Sequence, residues 1–469
     1  MISQLIAEFR GLELGDKRRE RRALGVLTRL VAGPTLSFPR MFPETAELEG
    51  FYRFIENPYI ERGAILAPHI KATIDRTASL ATVLVIHDTS KFVFSGERNG
   101  LFTSVKQTNG CFWGHCSLAI DASNGRPLGV LRMFTWVREA LTQTGARKAG
   151  LSRKQSLEIP TEQVRWWDAI RDISNLCGDN SKKNIHVCDS EGDCYELLST
   201  LSKHEYRFVI RGWQDRNIDD QEYATLMSKC INYSVVTKRV VHLSSRPKAR
   251  KQTAKRLAAR DGREATLGIS CGGVVFKRPK HVSNEFPKLL PINVVYVKEI
   301  NPPLDCDAVE WILLTSEDIT TEQDILRVVD IYRKRWMIEE YFKGLKTGCS
   351  FEERQLESYV TLQRCLEMLI PLAWLMLDAR YTSRQNPDTP AENMIPPQFL
   401  LVLREHRRKP LKTANAALWE IAGMGGHIKN NGPPGWLTIW RGLRELAVMV
   451  KGYEIAKSTA IARRRCDQS

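Results

Sequence analysis

Residues 81–90 have the sequence ATVLVIHDTS, a short unbroken apolar run that stops at His87 and Asp88. The pattern returns at residues 185–198, IHVCDSEGDCYELL, where an apolar run ends at Asp189 and a helical pattern follows. Unbroken apolar runs of this length are typical of strands that are buried on both faces of a sheet. The two runs therefore predict an α/β fold with core strands at these positions.

Two acidic side chains stand where the predicted strands end. Ligands of open α/β sheets bind beyond the carboxyl ends of the strands, so Asp88 and Asp189 are candidates for one shared site. The alternative for each is an aspartate that caps a loop, which is common. Glu191 and Asp193 follow Asp189 closely. We expect Asp193 to cap the helix that begins there.

The rest of the chain divides by its periodicity. Helical patterns come first, with a basic helix that starts at Asp16. Paired strands follow at residues 111–136, joined by an Asn124-Gly125 turn. A period of two then dominates a long stretch before helical patterns return. We predict a helical domain at 1–75, an α/β domain at 76–370 with a β-rich insertion at about 204–316, and a helical domain at 371–469.

The charge of the chain indicates a polyanionic partner. Its 469 residues include 69 Lys and Arg against 54 Asp and Glu, which gives a net charge of +15. Basic residues cluster at 16–22, 246–263 and 404–412. Such a balance favours nucleic acid, and scattered clusters favour an extended path rather than one small pocket. The alternative is a surface that is simply cationic.

Membrane and metal-cluster classes are disfavoured. No apolar run reaches the roughly 18 residues of a membrane span, and the N-terminus lacks a signal-peptide layout. We therefore expect a cytoplasmic protein without a membrane partner. The 11 cysteines include no CxxC pair, which favours free thiols. A zinc site could be assembled only with a spacing that matches no finger or ribbon, from Cys111, His115, Cys116, His186, Cys188 and Cys194.

A third acidic residue lies in residues 321–348, TEQDILRVVDIYRKRWMIEEYFKGLKTG, which predict one helix from Thr321 to about Leu345. At about 100° per residue, Glu339 falls within an arc of roughly 80° together with a phenol and three cations. The other members of this arc are Tyr332, Arg335, Lys343 and Lys346. The alternative is an exposed face with a Glu339–Lys343 pair worth a few tenths of a kcal/mol.

Phosphodiester chemistry requires this combination of side chains. Two divalent metals about 4 Å apart can activate the attacking oxygen and stabilise the leaving oxygen. Carboxylates are the ligands that Mg²⁺ and Mn²⁺ prefer, and they leave positions open for phosphate. Asp88, Asp189 and Glu339, with the cations beside them, meet that requirement.

The spacing Tyr332-x2-Arg335-x3-Glu339-x6-Lys346 resembles the Tyr-Arg-Glu-Lys signature of the bacterial cut-and-paste DDE transposases of the insertion-sequence-four family. The resemblance covers nearly the whole chain and includes the segments LGDKRRERR, FYRFIENP, IHDTS, VCDSEGD, EWILLTSED and EERQ. One departure follows Asp189, where Ser-Glu-Gly-Asp stands in place of the Arg-Glu-Ala-Asp that relatives often have. All the signature residues are present.

The resemblance implies a fold and a reaction. The fold would be a ribonuclease-H-like α/β core with a β-rich insertion, flanked by helical N-terminal and C-terminal domains. Asp88, Asp189 and Glu339 would bind two Mg²⁺, with Mn²⁺ able to substitute. The enzyme would nick the inverted ends of a mobile element, close a hairpin, reopen it with water and join the 3′ ends to target DNA. Its partners would be double-stranded DNA and a second copy of the chain.

The resemblance also implies DNA contacts. Trp311 would stack on a flipped base, although a tryptophan on a strand can equally belong to the core. The phosphates would be held by Tyr332, Arg335, Lys343 and Lys346. The element ends would be bound by Arg18, Arg19, Arg22, Arg354 and Gln355. For the three arginines of residues 16–22, the alternative is that they lie on a solvated helix face. Residues 418–453 would form the homodimer interface or, alternatively, pack in a core.

Two other functions remain open at this point. A stand-alone Mg²⁺-dependent nuclease would use the same acids but would need no paired ends. A repressor derived from a transposase would bind the ends without cutting them, and an intact set of three acids argues against it. His87 and Cys188, which adjoin the two aspartates, are interpreted as packing residues.

Overall fold

A computed structural model describes residues 2–33, 36–96, 98–103, 110–137, 162–243, 262–304 and 307–466. The chain divides into two compact units. The first comprises Met1–Ser79, Thr89–Leu157 and Met337–Ser469, and the second comprises Leu80–Asp88 and Glu158–Trp336. Each unit is therefore assembled from separate segments of the sequence.

The N-terminal part of the first unit is helical, as predicted. The Asp16 side chain accepts a hydrogen bond from the backbone N–H of Arg18 at 2.7 Å, which confirms the predicted helix start. The helices are α1 (Ile2–Glu8), α2 (Lys17–Ala32), α3 (Phe38–Met41), α4 (Thr45–Ile55) and α5 (Ala67–Thr77).

The strands of the first unit form an antiparallel ladder. Strand β1 (Val83–Phe94) enters this unit at Thr89, and β3 lies beside it in the sheet. The pairing of β3 with β4 runs from Trp113 opposite Trp136 to Ile120 opposite Pro127. This hairpin confirms the paired strands predicted around the Asn124-Gly125 turn. The remaining strands of the unit are β2 (Phe102–Thr103), β3 (Gly110–Asp121) and β4 (Pro127–Trp136).

In the second unit the strands follow the order β1, β5, β6, β10, β9, β8, β7. Strands β1, β5 and β6 are parallel, whereas β6 and β10, β10 and β9, β9 and β8, and β8 and β7 pair antiparallel. The β-rich segment thus extends the edge of the parallel strands. The strands are β5 (Asn184–Cys188), β6 (Arg207–Gly212), β7 (Thr237–Leu243), β8 (Arg263–Lys277), β9 (Leu289–Glu299) and β10 (Glu310–Thr315).

Burial explains why the parallel strands are apolar throughout. Every residue from Val83 to Ile86 is fully buried, which confirms strands covered on both faces. The core of the second unit is formed by side chains such as Trp166, Phe208 and Phe276. The helices of this unit are α6 (Glu162–Cys177), α7 (Tyr195–Lys203), α8 (Leu226–Ile231) and α9 (Glu322–Arg333).

The prediction of one continuous helix from Thr321 to Leu345 is wrong. Helix α9 ends at Arg333, and α10 (Trp336–Lys343) follows in the next segment. At the break, the N–H of Arg335 donates to the carbonyl of Tyr332 at 3.0 Å, so the backbone tightens to a three-residue turn. Because the five residues of the predicted arc, Tyr332, Arg335, Glu339, Lys343 and Lys346, span this break, the arc computed for a single helix does not apply to them.

The C-terminal part of the first unit is helical, and its longest apolar helix is buried. Helix α11 (Tyr359–Gln385) contains an 18-residue window of mean hydropathy 1.4, although charged residues and Pro371 keep its unbroken apolar run shorter than a membrane span. That window is 83% buried within the chain, as in the core helix of a water-soluble protein. Three helices follow, α12 (Pro397–Arg407), α13 (Ala414–Met424) and α14 (Trp436–Cys466).

The cysteines that the structure describes match the free thiols that the sequence favours. Nine of them are free thiols, and all but Cys271 are buried. His87 and Cys188 are fully buried, and the His87 ring packs against His186 with 2.9 Å between Nε2 and Nδ1. Both residues are therefore packing neighbours of the aspartates.

Candidate active site

The second unit brings Asp88 and Asp189 to the same level of its sheet. The parallel pairing of β1 with β5 sets Ile86 opposite Val187. Asp88 lies two residues further along β1, and Asp189 lies two residues after Val187, directly past the end of β5. Neighbouring strands are about 4.8 Å apart, so the two carboxylates belong to one site. The prediction that strand β1 ends at Asp88 is wrong, because the strand continues to Phe94. Asp88 therefore lies within β1, at the level where β5 ends.

Asp189 is partly withdrawn from water. Burial raises the pKa of its carboxyl, and this effect is opposed by the backbone N–H of Glu191 and by the positive charges of Arg335 and Arg211. The N–H of Glu191 donates to Oδ1 at 2.9 Å, which fixes the side chain. A carboxyl held this way is oriented for a ligand.

A cation lies beside the two acids. A guanidinium nitrogen of Arg335 is 3.9 Å from Oδ2 of Asp88, and both side chains are largely shielded from solvent. The Arg335 charge also acts on Asp189. Arg335 was predicted to hold phosphate, and the structure places it where a phosphate bound near Asp88 would lie within its reach.

Arg211 was missed by the sequence analysis. It lies on β6, the third parallel strand, and interacts with both Asp189 and the hydroxyl of Tyr332. The signal was available in YRFVIRG, because Arg211 interrupts an apolar strand one residue from its end. The site of the second unit therefore has two arginines facing two aspartates.

Tyr332 and Trp311 form an aromatic pair in the second unit. Their ring centroids are 5.7 Å apart in an edge-to-face arrangement. Tyr332 is only 6% exposed, and burial raises the pKa of its phenol against the opposing charges of Arg335 and Arg211. Trp311 is only half-buried. A half-buried indole at the start of β10 keeps a ring surface that a base could contact.

Glu339, Lys343 and Lys346 belong to the first unit. Glu339 lies in the first turn of α10, whereas its neighbour Glu340 is bound by Arg380 and by the indole N–H of Trp436 at 2.9 Å. Lys343 donates to Glu340 at 2.9 Å. Lys346 donates to the backbone carbonyl of Lys91 at 2.6 Å, next to strand residue Phe92.

The donor set suits a hard divalent cation. In the described part of the chain, no three Asp, Glu, His or Cys side chains are already grouped to hold a metal ion. The second unit supplies two carboxylates, Asp88 and Asp189, and oxygen ligands of this kind are those that Mg²⁺ and Mn²⁺ prefer. A third ligand has to come from elsewhere in the chain.

The predicted end-binding arginines of α2 differ in exposure. Arg18 and Arg22 are exposed. Arg19 is half-buried, donates to the carbonyl of Leu14 at 2.6 Å and lies 5.3 Å from the centroid of the Tyr59 ring. A groove of about 1270 Å³ in the first unit is lined by cations from several helices, namely Arg18, Arg21, Arg22, Arg29, Arg40, Arg444 and Lys451.

Arg354 has a structural environment, while Gln355 is exposed. The Arg354 side chain is among the buried charged groups, at 4% exposure for the residue. It donates to the carbonyls of Leu36 at 2.6 Å and Cys349 at 2.9 Å. This placement does not support the predicted DNA contact for Arg354, because its donors are used inside the first unit.

The basic clusters at 246–263 and 404–412 contain arginines that pair with acidic side chains. Most of the run 246–263 lies outside the described residues, and its last member, Arg263, pairs with Glu299. In the run 404–412, Arg407 pairs with Glu420 at 2.7 Å. Acidic partners therefore neutralise part of this third cluster.

The predicted helix cap at Asp193 is wrong. Cys194 caps α7 instead, with its sulfur accepting from the N–H of Leu197 at 3.3 Å. Asp193 forms a buried ion pair with Arg216 at 2.5 Å and accepts from two backbone N–H groups after β6. Sequence spacing cannot reveal this role because the partners lie 20 to 23 residues away.

Two family models match the chain. The family described as Transposase DNA-binding matches residues 2–60, and the one described as Transposase DDE domain matches residues 168–375. The chain is a DDE transposase. The two matches together span more than half of its length, and the DDE match includes Asp189 and Glu339 and begins after Asp88.

This transposase is an enzyme that cleaves DNA and transfers strands. Its DNA-binding domain confirms DNA as a partner, and DDE domains of this kind use divalent metal ions. The predicted fold is confirmed: a mixed α/β molecule with a ribonuclease-H-like DDE domain and helical ends. A repressor that only binds DNA is not the function that these matches support.

Proposed function

We propose that Asp88, Asp189 and Glu339 are the metal-binding acids of this transposase and that two Mg²⁺ occupy the site, with Mn²⁺ able to substitute. The observation that supports the proposal is the register of the parallel strands β1 and β5, which brings Asp88 and Asp189 to the same level of the sheet. A guanidinium nitrogen of Arg335 lies 3.9 Å from Oδ2 of Asp88. Glu339 follows Arg335 by four residues and lies within the matched DDE domain. When bound, the ions supply Lewis acidity to the attacking and leaving oxygens.

The cations and aromatic residues of the site position the DNA. Arg335 and Arg211 hold the phosphate, for which a guanidinium offers two parallel donors. Tyr332 contacts the phosphate beside Arg335, and its ring meets that of Trp311 edge to face. The half-buried Trp311 stacks on a base flipped out beside the cleaved bond. Lys343 and Lys346 also hold phosphates of the DNA.

The reaction course follows the family that the motifs resemble. We assign the chain to the insertion-sequence-four family, near the transposon-five transposase, whose ends are released through a hairpin. Arg18, Arg19 and Arg22 bind the inverted ends together with Gln355. The enzyme works as a homodimer in the bacterial cytoplasm, associated with the nucleoid.

The C-terminal helices supply the dimer interface in this proposal. Residues 418–453 cover most of α13 and the first half of α14. One side of these helices packs in a core that includes Ile421, Leu446 and Val450. Leu437 and Val448 remain exposed, as expected for a helix that has a second apolar contact to make.

The test is excision from a plasmid that carries the transposase gene with its flanking DNA, in Mg²⁺. We expect paired excision at the flanks with the wild type. Glu339→Gln and Asp189→Asn should bind DNA but not cut it. Glu191→Gln is the matched control, because this exposed acid lies two residues after Asp189 and its replacement should leave excision intact.

Three results would contradict the proposal. Cutting by Glu339→Gln would remove that residue from the metal site. Unpaired nicking by the wild type would favour a nuclease, and DNA retardation without any cutting by the wild type would favour a repressor.

A further inference from the structure

An exposed indole stands beside the candidate active site. Trp213 follows the last residue of β6 and is 77% exposed. Tryptophan is usually well buried in folded proteins, so a side chain this exposed is informative. Neither the signature nor the proposed chemistry uses it.

The strand register places Trp213 at the level of the site. Pairing of β5 with β6 sets Cys188 opposite Ile210, so Asp189 is level with Arg211. Trp213 lies two residues beyond Arg211, which is about 7 Å along a strand. Trp213 directly follows Gly212, so it stands just past the carboxyl end of β6, close to Arg211 in the chain.

The same register relates Trp213 to the other tryptophan of the site. Antiparallel pairing of β6 with β10 sets Gly212 opposite Ile312. Continued by one residue, this register puts Trp213 opposite Trp311. Two indoles thus occupy neighbouring positions at one edge of the sheet, the first exposed and the second half-buried against Tyr332.

The backbone that carries Trp213 is held rigidly. Its N–H and that of Gln214 both donate to Oδ2 of Asp193, at 2.7 and 2.8 Å. Asp193 is in turn fixed by its buried ion pair with Arg216. A large aromatic surface on a fixed turn loses little conformational freedom when it binds, which is the usual property of a recognition residue.

We propose that Trp213 is a second base-stacking residue, which takes an unpaired base of the DNA strand beside the cleaved bond. This inference rests on the proposed function, because it assigns the cleaved bond to Asp88 and Asp189. Arg211, two residues before Trp213, supplies the positive charge that a nucleic acid strand requires. Stacking on an indole accepts any base, so the contact holds the strand without reading its sequence.

The test uses the full-length protein and a short oligothymidylate that carries fluorescein and one 5-iodouracil. Fluorescence anisotropy measures its Kd, and irradiation followed by mass spectrometry locates the residue that crosslinks to the base. We expect an adduct on Trp213 and a Kd weakened roughly 5- to 100-fold in Trp213→Ala, the range for one stacked base. Trp213→Phe should recover most of the affinity.

Ile231→Ala is the control, because Ile231 is also exposed (58%) and belongs to the same unit. It should bind as the wild type does. The proposal requires both readouts: absence of a Trp213 adduct, or a Kd of Trp213→Ala within twofold of the wild type, would overturn it.

Plasmid excision on the same preparations separates this inference from the proposed function. If the wild type does not cut but Trp213 crosslinks and contributes affinity, Trp213 is a stacking residue for single-stranded DNA, and its placement beside a cleaved bond fails together with the proposed function. If the wild type excises paired ends while Trp213 gives no adduct, the stacking role fails and the catalytic assignment stands.

Discussion

Glu367 is a buried acid whose carboxyl has only part of its hydrogen bonds satisfied. It lies in α11, where Oε1 accepts from the N–H of Gly63 at 2.9 Å and Oε2 is buried without a partner. Burial raises the pKa of Glu367 to about 7, against the opposing effects of nearby backbone N–H groups and of Arg62 and Arg364. Between pH 4.5 and about 7, Glu367 therefore keeps its proton in the folded chain, whereas the same carboxyl has released it in the unfolded chain.

The sign of the pH effect follows from this difference. A raised carboxyl pKa stabilises the fold fully below pH 4.5, and the stabilisation is lost as the pH rises through about 7. The loss amounts to about 3 kcal/mol of unfolding free energy, at about 1.4 kcal/mol for each pKa unit. Glu367→Gln keeps an acceptor for Gly63 and does not titrate, so it should be more stable than the wild type at pH 8.

The measurement is urea unfolding of wild type and Glu367→Gln across this pH range, with Glu357→Gln as an exposed control. Glu8 and His69 have lowered pKa values, so the stability that they contribute to the fold is lost in acid. This loss is the same in both proteins. The difference between the two curves therefore isolates Glu367. Parallel curves would show that Glu367 does not titrate in this range.

At the scale of elements, the turn after β6 depends on one buried ion pair. Asp193 and Arg216 are almost fully buried, and Asp193 also accepts the N–H groups of Trp213 and Gln214. Replacement of Asp193 by Asn would leave the Arg216 charge buried without its partner. We expect a loss of about 3–5 kcal/mol in unfolding free energy, as for other broken buried pairs.

The loss should appear in urea unfolding of the full-length chain and be absent from Glu191→Gln, a nearby surface change. A second readout is Trp213 crosslinking, which should fall because the turn is no longer fixed. A change below about 1 kcal/mol would mean that Arg216 reaches solvent or finds another acceptor once Asp193 is replaced.

At the scale of the whole molecule, the net charge of +15 is a poor guide to which cations can meet DNA. Arg18 and Arg22 of α2 are exposed, whereas Arg407 and Lys409 of the third cluster both pair with Glu420. Affinity for DNA should therefore depend on the first cluster much more than on the third.

This difference can be measured as salt dependence. Each phosphate contact contributes about −0.9 to the slope of log K against log salt concentration. The double variant Arg18→Ala, Arg22→Ala should reduce that slope by about 2 for duplex DNA carrying an element end. Arg171→Ala, which removes an arginine paired with Asp168, should leave it unchanged. Equal slopes for all three proteins would exclude phosphate contacts by α2.

Local patterns were sufficient to predict the α/β class, the strands that carry Asp88 and Asp189, the helix start at Asp16 and the hairpin of β3 and β4. Each of these depends on neighbours within a few residues, through unbroken apolar runs, a cap or a turn. The shared level of Asp88 and Asp189 was also predictable, because the same apolar run precedes each aspartate on neighbouring parallel strands; the continuation of β1 past Asp88 to Phe94 was not.

Other features depend on residues that are distant in the chain. The break after Arg333 has no Gly or Pro to signal it. It comes where Tyr332 packs on Trp311 in one unit and Tyr341 is buried in the other. Arg354 is buried and donates hydrogen bonds to the carbonyls of Leu36 and Cys349, and Asp193 forms an ion pair with Arg216. Periodicity and caps report only local preferences, whereas the partner of a buried charge is chosen by the packing of elements far apart in sequence.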